Sequence, residues 1–332
     1  MTDKRPVISF CIPTYNRCNY LEETLKRLSE CLSEAKVSKT SYSIIISDNC
    51  SDDRTKSIVT DFGRLLSIKY ILQKENIGPA RNLLESIKIA DGEFIWILSD
   101  DDLLEIRSVK NLLELIKERS NLDYIFCPRQ LCDKNMLPLT NSMNVILEKH
   151  LFFDNGYELF VSCNGVMPGQ MGYFSSTIIR RELWNKACFN RNHSEWIHLE
   201  RLLFIIKSRP CAIMSGIGVS ARVGNYRKFS VDSYVWLDSY VNAFIYAIEL
   251  GYCEKICKKY IKYYLENQQK SYFGDMVFNK RFISYKKNAL NLGINSSYDK
   301  SIWYWLSFTP CFIMPLFRYT INIIKYLDFA KK

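Results

Sequence analysis

Short apolar runs rich in β-branched and aromatic residues, each closing on a polar cluster, narrow the fold of this chain more than any other feature. Val7-Ile8-Ser9-Phe10-Cys11-Ile12 closes on Pro13-Thr14, and residues 43–46 run into Ser47-Asp48-Asn49-Cys50-Ser51-Asp52-Asp53. Residues 68–72 form a third run, and 94–98 end in Ser99-Asp100-Asp101-Asp102. Runs of this length and composition predict buried strands. Between them Leu21, Leu25, Leu28 and Leu32 recur at helical spacing, and 82–90 and 108–116 read as further helices. Strand, loop and helix in alternation predict an α/β fold, whose ligands sit beyond the carboxyl ends of the strands. The polar clusters fall there, so one shared site is expected.

Three consecutive carboxylates repel one another, more so as water is withdrawn, so something positive is expected beside Asp100, Asp101 and Asp102. Hard oxygen ligands suit Mg²⁺ or Mn²⁺, which usually bind through one or two carboxylates plus the phosphates of a substrate. Asp, Asn and Ser also cap helices and make turns, and for Asp48 and Asn49 taken alone capping explains as much as function. Repetition of the pattern at several strand ends favours a site at Asp100 to Asp102 over a cap for the next helix.

The chain has 332 residues, 48% apolar and 24% charged, which suits one large domain or two modest ones and excludes a disordered polymer. Its 12 cysteines include no CxxC pair, so neither a zinc finger nor a thioredoxin-type site is written here. The first residues lack the length and flanks of a secretory signal, and reduced thiols in a cytoplasm are expected. The net charge of +10 is unevenly placed: residues 1–221 carry 28 Lys+Arg against 27 Asp+Glu, residues 222–332 carry 17 against 8. A balanced amino-terminal part with an acidic cluster is poor for a phosphate backbone, so no nucleic-acid partner is expected.

Pro13-Thr14-Tyr15-Asn16-Arg17, Asp48-Asn49-Cys50-Ser51-Asp52, Glu75-Asn76-Ile77-Gly78-Pro79-Ala80-Arg81-Asn82 and Ser99-Asp100-Asp101-Asp102 stand in an order and spacing that resemble the family 2 glycosyltransferases. Their tone is similar to bacterial members of cell-surface polysaccharide and O-antigen assembly, abequosyltransferases among them. The resemblance implies the GT-A nucleotide-diphospho-sugar transferase fold, a Rossmann-like mixed sheet flanked by helices, with a mainly helical carboxyl-terminal extension. It covers about residues 5–220. The expected division is a catalytic domain over 1–225, with a nucleotide-sugar half 1–105 and an acceptor half 106–225, and a helical, basic extension over 226–332.

By this resemblance Pro13, Thr14 and Tyr15 line the base pocket, and Asp48 holds the base or ribose through hydrogen bonds. Asp100 touches ribose or metal, while Asp101 and Asp102 form the metal-binding part of a DxD-type motif whose usual first Asp is Ser99 here. Arg81 lies near the diphosphate or braces the carboxylates. Ser194-Glu195 stands where the family has an acidic pair that supplies the base, so Glu195 is the expected catalytic base, with Arg201 in the place of a frequent downstream Arg. His198, three residues on, is its rival or helper, or a satisfied core histidine. The glycine-containing stretch 169–181 resembles the acceptor side, and Trp184 and Trp196 either stack on a sugar or, by default, fill the core.

The implied function is inverting, Mn²⁺- or Mg²⁺-dependent transfer of one sugar from a nucleotide-sugar donor to a saccharide or lipid-linked saccharide acceptor. The Gln-x-x-Arg-Trp motif of polymerising members is absent, so one sugar per encounter is expected. Basic, aromatic helices over 236–264 and the uncharged stretch 301–317 belong to the terminal third; the latter is short of the ~20 residues of a spanning helix and is broken by Pro310 and Pro315. An anchor on the inner face of the cytoplasmic membrane is expected, against packing on protein, together with homo-oligomer contacts through the terminal helices. A metal-dependent sugar-phosphate nucleotidyltransferase is the rival enzyme, and a non-catalytic scaffold a third class.

Overall fold

The computed structural model describes residues 5–139, 147–166, 171–187, 194, 196–223 and 233–262. In chain order the elements are β1 (Ile8–Thr14), α1 (Cys18–Glu34), β2 (Tyr42–Asp48), α2 (Thr55–Gly63), β3 (Ile68–Leu72), α3 (Pro79–Lys88), β4 (Phe94–Ile97) and β5 (Leu103–Leu104). There follow α4 (Ser108–Glu118), β6 (Tyr124–Phe126), β7 (Arg129–Cys132), β8 (Leu151–Phe153), α5 (Gly156–Val166), β9 (Thr177–Arg180), α6 (Arg181–Lys186), α7 (Ile197–Ile206), β10 (Cys211–Ile213), β11 (Val219–Arg222) and α8 (Ser233–Glu249). Residues 254–262 are again helical.

Eight strands form a mixed sheet in the order β3-β2-β1-β4-β9-β6-β10-β8, and β5-β11-β7 form a second, small one. The strands β3, β2, β1 and β4 are parallel, and β9 enters antiparallel between β4 and β6. Ile8, Phe10 and Ile12 of β1, Ile44 and Ile46 of β2 and Trp96 of β4 alternate onto one face and share a core with Leu21, Leu25, Leu28 and Leu32 of α1. The leucine spacing read as a helix is thus the stripe by which α1 covers the sheet. Phe10 and Trp96 meet with ring centroids 5.7 Å apart, and the Trp96 indole N–H donates to the Ser175 carbonyl at 2.9 Å.

Residues 211–222 divide between β10 and β11, with a turn at Gly216, whose φ of +71° only glycine adopts easily. The break is needed because β10 pairs with β6 and β8 in the large sheet, whereas β11 pairs with β5 and β7 in the small one.

Two compact units result: Met1–Lys228 with Tyr246–Cys253, and Phe229–Ile245 with Glu254–Lys332. In the first, the Tyr252 hydroxyl donates to the Leu203 carbonyl at 2.8 Å. In the second, Phe244 stacks on Tyr260 at 5.0 Å. Among the described residues no helix is long and apolar enough to cross a membrane. The stretch 301–317 lies outside them.

Candidate active site

Strand register assembles the site. Thr14 at the end of β1 pairs with Asp48 at the end of β2, which pairs in turn with Leu72 of β3. Cys11 pairs with Ile97, so the chain leaving β4 carries Asp100, Asp101 and Asp102 past the end of β1. Thr14 donates through Oγ1 to Asp100 Oδ2 at 2.8 Å, linking the first and last of these clusters.

The loop after β1 is zipped to the loop after β2. Asn16, at φ +51°, donates its backbone N–H to Ser51 Oγ and accepts the Asp52 N–H, each near 2.9 Å. Asp53 accepts the Cys18 N–H at 2.9 Å and so caps α1 from the neighbouring loop. Asp48 accepts the Ser51 N–H on Oδ1 at 2.8 Å and the Tyr70 hydroxyl on Oδ2 at 2.6 Å. Its aspartate is therefore both turn-maker and buried acceptor. Asn49 bonds Asn76 and the Ile77 N–H, and Asn82 bonds the Ser47 carbonyl at 2.8 Å, which fastens the start of α3 to the end of β2.

The three consecutive aspartates divide. Arg17 Nη1 donates to Asp100 Oδ1 at 3.0 Å and to Asp101 Oδ2 at 2.9 Å, so two carboxylate oxygens converge on one cationic nitrogen. Asp101 Oδ1 accepts the Ser99 hydroxyl at 2.5 Å. Asp102 is wholly buried and is used up elsewhere: Oδ1 accepts the Tyr173 hydroxyl at 2.8 Å and the Arg222 N–H at 3.0 Å, and Oδ2 accepts the Ser175 hydroxyl at 2.6 Å. Asp102, expected beside Asp101 as a metal ligand, has both its oxygens engaged by these donors. Its carboxyl ties the loop to the 3₁₀ turn Phe174–Ser176 and to β11, and it does not join the oxygens of its two neighbours.

Charge follows geometry. Burial pulls Arg17 down, and the charges of Asp100 and Asp101 more than offset it, so its guanidinium stays charged. Burial pushes Asp100 up to about 6 against the pull of Arg17. Burial and the charge of Asp101 push Asp102 up to about 7 despite its three hydrogen bonds. Arg222 braces the loop from behind, with Nε donating to the Asp101 carbonyl at 3.1 Å and its guanidinium 4.8 Å from the Tyr20 ring. Thr24 of α1 donates to the Asp100 or Asp102 carbonyl.

Two hard carboxylate oxygens closing on one cation position fit a divalent ion, with Arg17 as the stand-in, since such an ion needs only one or two carboxylates beside a substrate's phosphates. Among the described residues no group of three His, Cys, Asp or Glu side chains could hold a metal by itself. By the family resemblance Arg81 lies near the diphosphate or braces the carboxylates, and Arg17 stands in its motif without a role of its own. The structure gives bracing to Arg17, and Arg81 lies exposed on the first turn of α3. The signal was present: three aspartates demanded a cation, and Arg17 stands in a motif at a neighbouring strand end. Pro13 is half-buried behind Thr14, and Tyr15 is 40% exposed.

Glu195 lies outside the described residues. Beside it, Ser194 turns the chain into α7, its hydroxyl accepting the Trp196 N–H at 3.1 Å. His198 is buried and neutral: Nε2 sits 2.9 Å from the Gly172 carbonyl, which can only accept, so the proton is on Nε2. Nδ1 is buried with no hydrogen-bond partner among the described residues. Burial pulls the ring down to about 4, which suits the core-histidine reading and not a base working near neutrality. Phe174 and Trp196 pack on the ring at 4.3 and 5.5 Å, and a Cβ on Gly172 would come within 2.6 Å of the Trp196 ring. Trp184 is buried under Arg201, whose guanidinium lies 5.1 Å from the ring.

The chain is similar to abequosyltransferase RfbV of Salmonella typhimurium, 29% identical over 216 residues, 62% of this chain and 63% of the relative. It is 27% identical to the GalNAc(5)-diNAcBac-PP-undecaprenol β-1,3-glucosyltransferase of Campylobacter jejuni over 86% of this chain and 82% of that one. The match thus spans a little under two thirds of the abequosyltransferase. Among solved structures, Staphylococcus aureus TarS in complex with UDP-GlcNAc superposes with a TM-score of 0.60 at 18% identity, over 86% of this chain and 79% of the other. The mannosyltransferase of Pyrobaculum calidifontis in complex with GDP-Man and Mn²⁺ superposes at 0.50 with 13% identity, over 90% and 89%. These two likenesses establish the fold. Residues 9–181, which run from the second residue of β1 past the end of β9 and contain every described member of the strand-end site except Arg222, match Glycosyl transferase family 2, and the chain belongs to that family.

Proposed function

We propose that this chain transfers one sugar from a nucleotide-sugar donor to a saccharide or lipid-linked saccharide acceptor, with inversion, in the synthesis of a cell-surface polysaccharide. The observation that carries the reading is the convergence of Asp100 and Asp101 on a cation position beside Thr14 and Asp48, at the ends of adjoining parallel strands. Asp48, oriented by Tyr70, would accept from the base or ribose, and Thr14, Pro13 and Tyr15 would wall the base. Asp100 and Asp101 would hold Mn²⁺ or Mg²⁺, which supplies neutralisation of the charge growing on the departing diphosphate. Arg81 would add a cation near that group from the start of α3.

Glu195 is proposed as the base on its place in the sequence alone. It would take the proton of the acceptor hydroxyl as that oxygen attacks the face opposite the leaving group; a single displacement of this kind inverts the anomeric carbon. His198 would hold Gly172 and Trp196 in place on the acceptor side rather than move a proton. A lipid-linked acceptor at the inner face of the membrane accords with the basic terminal third and with the undecaprenol-linked substrate in the name of the Campylobacter relative.

Calorimetry of UDP, GDP, CDP and dTDP with Mn²⁺ or Mg²⁺, followed by turnover of donors carrying the tightest nucleotide, tests the reading. Binding of one nucleoside diphosphate that needs metal and is lost in Asp101→Asn is the expected result. Failure of all four to bind the folded chain refutes it, and activity with a nucleoside triphosphate and a sugar phosphate would establish the nucleotidyltransferase instead.

A further inference from the structure

Each carboxylate of the cation pair has one oxygen tied inward and one aimed at Arg17. Asp100 Oδ2 accepts from Thr14 and Asp101 Oδ1 from Ser99, while Asp100 Oδ1 and Asp101 Oδ2 both receive Arg17 Nη1. The inward bonds keep either carboxylate from turning to offer a second oxygen without breaking a buried hydrogen bond. A divalent ion that took both outward oxygens would therefore meet the guanidinium in the same place. The side chains of Asp100 and Asp101 are 5% and 8% exposed and that of Arg17 is 16% exposed, so the arginine lies on the more open side of the pair.

We infer that Arg17 is the resident counter-cation of this pair and closes it to a free metal ion, so that the metal enters only together with a nucleoside diphosphate. The inference rests on the function proposed above. Charge decides the order. The guanidinium already meets both carboxylates, and a lone dication added to them puts like charges side by side in a poorly hydrated place. A diphosphate brings the negative charge that both cations then share. Tyr20, whose ring centroid lies 5.9 Å from the Arg17 guanidinium carbon and 4.8 Å from that of Arg222, offers the Arg17 head group an aromatic face when it leaves the carboxylates. Arg222 does not compete for the pair, because its described side-chain bonds go to backbone carbonyls and to Glu23. Arg17 is a positioning residue in this scheme.

The test is Mn²⁺ binding to the full chain, followed by the electron paramagnetic resonance of free Mn²⁺, with and without the tightest binder among UDP, GDP, CDP and dTDP. In the wild type Mn²⁺ alone binds weakly, and the nucleotide strengthens it by roughly 5- to 150-fold, the usual range of coupling between two ligands. Arg17→Met, which keeps an unbranched side chain without its charge, binds Mn²⁺ alone about tenfold more tightly and loses most of the coupling. Arg17→Lys keeps the charge and leaves Mn²⁺ alone weak, which separates competition from a general loosening of the loop. Unchanged Mn²⁺ affinity in Arg17→Met, or a wild type that binds Mn²⁺ equally with and without nucleotide, overturns the inference. The second comparison needs no variant and decides the matter should Arg17→Met fail to fold. Metal-dependent nucleotide binding with no effect of Arg17 overturns only the role of Arg17; no nucleotide binding at all overturns the proposed function as well.

Discussion

A histidine held neutral in the interior makes the stability of this protein depend on pH in a calculable way. His198 is 2% exposed, donates from Nε2 to the Gly172 carbonyl, and is pulled from 6.5 to about 4 by burial. A folded-state value below the unfolded one means that the unfolded chain binds the extra proton. The stabilisation is therefore complete above pH 6.5 and is lost as pH falls through that value toward 4. At pH 5 the loss relative to pH 7.5 is about 2 kcal/mol, out of about 3 kcal/mol over the whole window. That is a fall in melting temperature of about 4–8 °C for a domain of this size. The assay is thermal unfolding of wild type and His198→Leu at pH 7.5 and pH 5. At pH 7.5 the variant loses one hydrogen bond and also loses the unpartnered Nδ1, and stays within about 1 kcal/mol of wild type. At pH 5 the variant is spared the loss that the wild type suffers, so the difference between the two slopes is the histidine's. Equal falls in both proteins would refute a buried neutral ring. A folded His198→Leu that had lost turnover altogether would refute the packing role and restore the histidine to catalysis.

Asp101 and Asp102 are expected to part company on substitution. Asp102→Ala strips three buried donors of their acceptor, at a cost of about 3 kcal/mol at pH 6, and the cost shrinks as pH rises through about 7 and then levels off, because the native protein comes to carry a buried charge that the variant lacks; Asp101→Asn abolishes metal-dependent nucleotide binding with little change in unfolding. Urea titrations at pH 6 and 8.5 read the difference, and equal effects on stability would count against the division of the two carboxylates. Tyr70→Phe removes the donor that orients Asp48, and nucleotide affinity measured by calorimetry should fall about fivefold, from about 1 kcal/mol of lost hydrogen bonding. Gly172→Ala drives a Cβ to within 2.6 Å of the Trp196 ring and should cost about 1–3 kcal/mol in the same unfolding assay.

How far each of these features could be read beforehand depends on the range of the interactions involved. The runs at 7–12, 43–46, 68–72 and 94–98 reappear as β1 to β4, with boundaries moved by a residue or two, because burying β-branched residues between helices is a local consequence of composition. The helices at Leu21 to Leu32 and at 108–116 likewise follow from spacing alone. Strand ends bearing Thr14, Asp48 and Asp100 could be placed in one region by the topology of parallel sheets, without coordinates. Three identical neighbours in Asp100-Asp101-Asp102, however, carry no information about which way each side chain turns. Tertiary structure decided that: Tyr173, Ser175 and Arg222, 71 to 120 positions along the chain, captured Asp102, while Arg17, 83 to 84 positions back, took the other two. Arg17 and Arg81 were both chemically able to meet the carboxylates, and only packing across the sheet separated them. The division of 211–222 between two sheets and the burial of His198 have the same origin, since pairing and desolvation are set by partners distant in sequence. Composition and periodicity determined the elements and their order; the choice of partner for each charged group was made by contacts that form only when those elements meet.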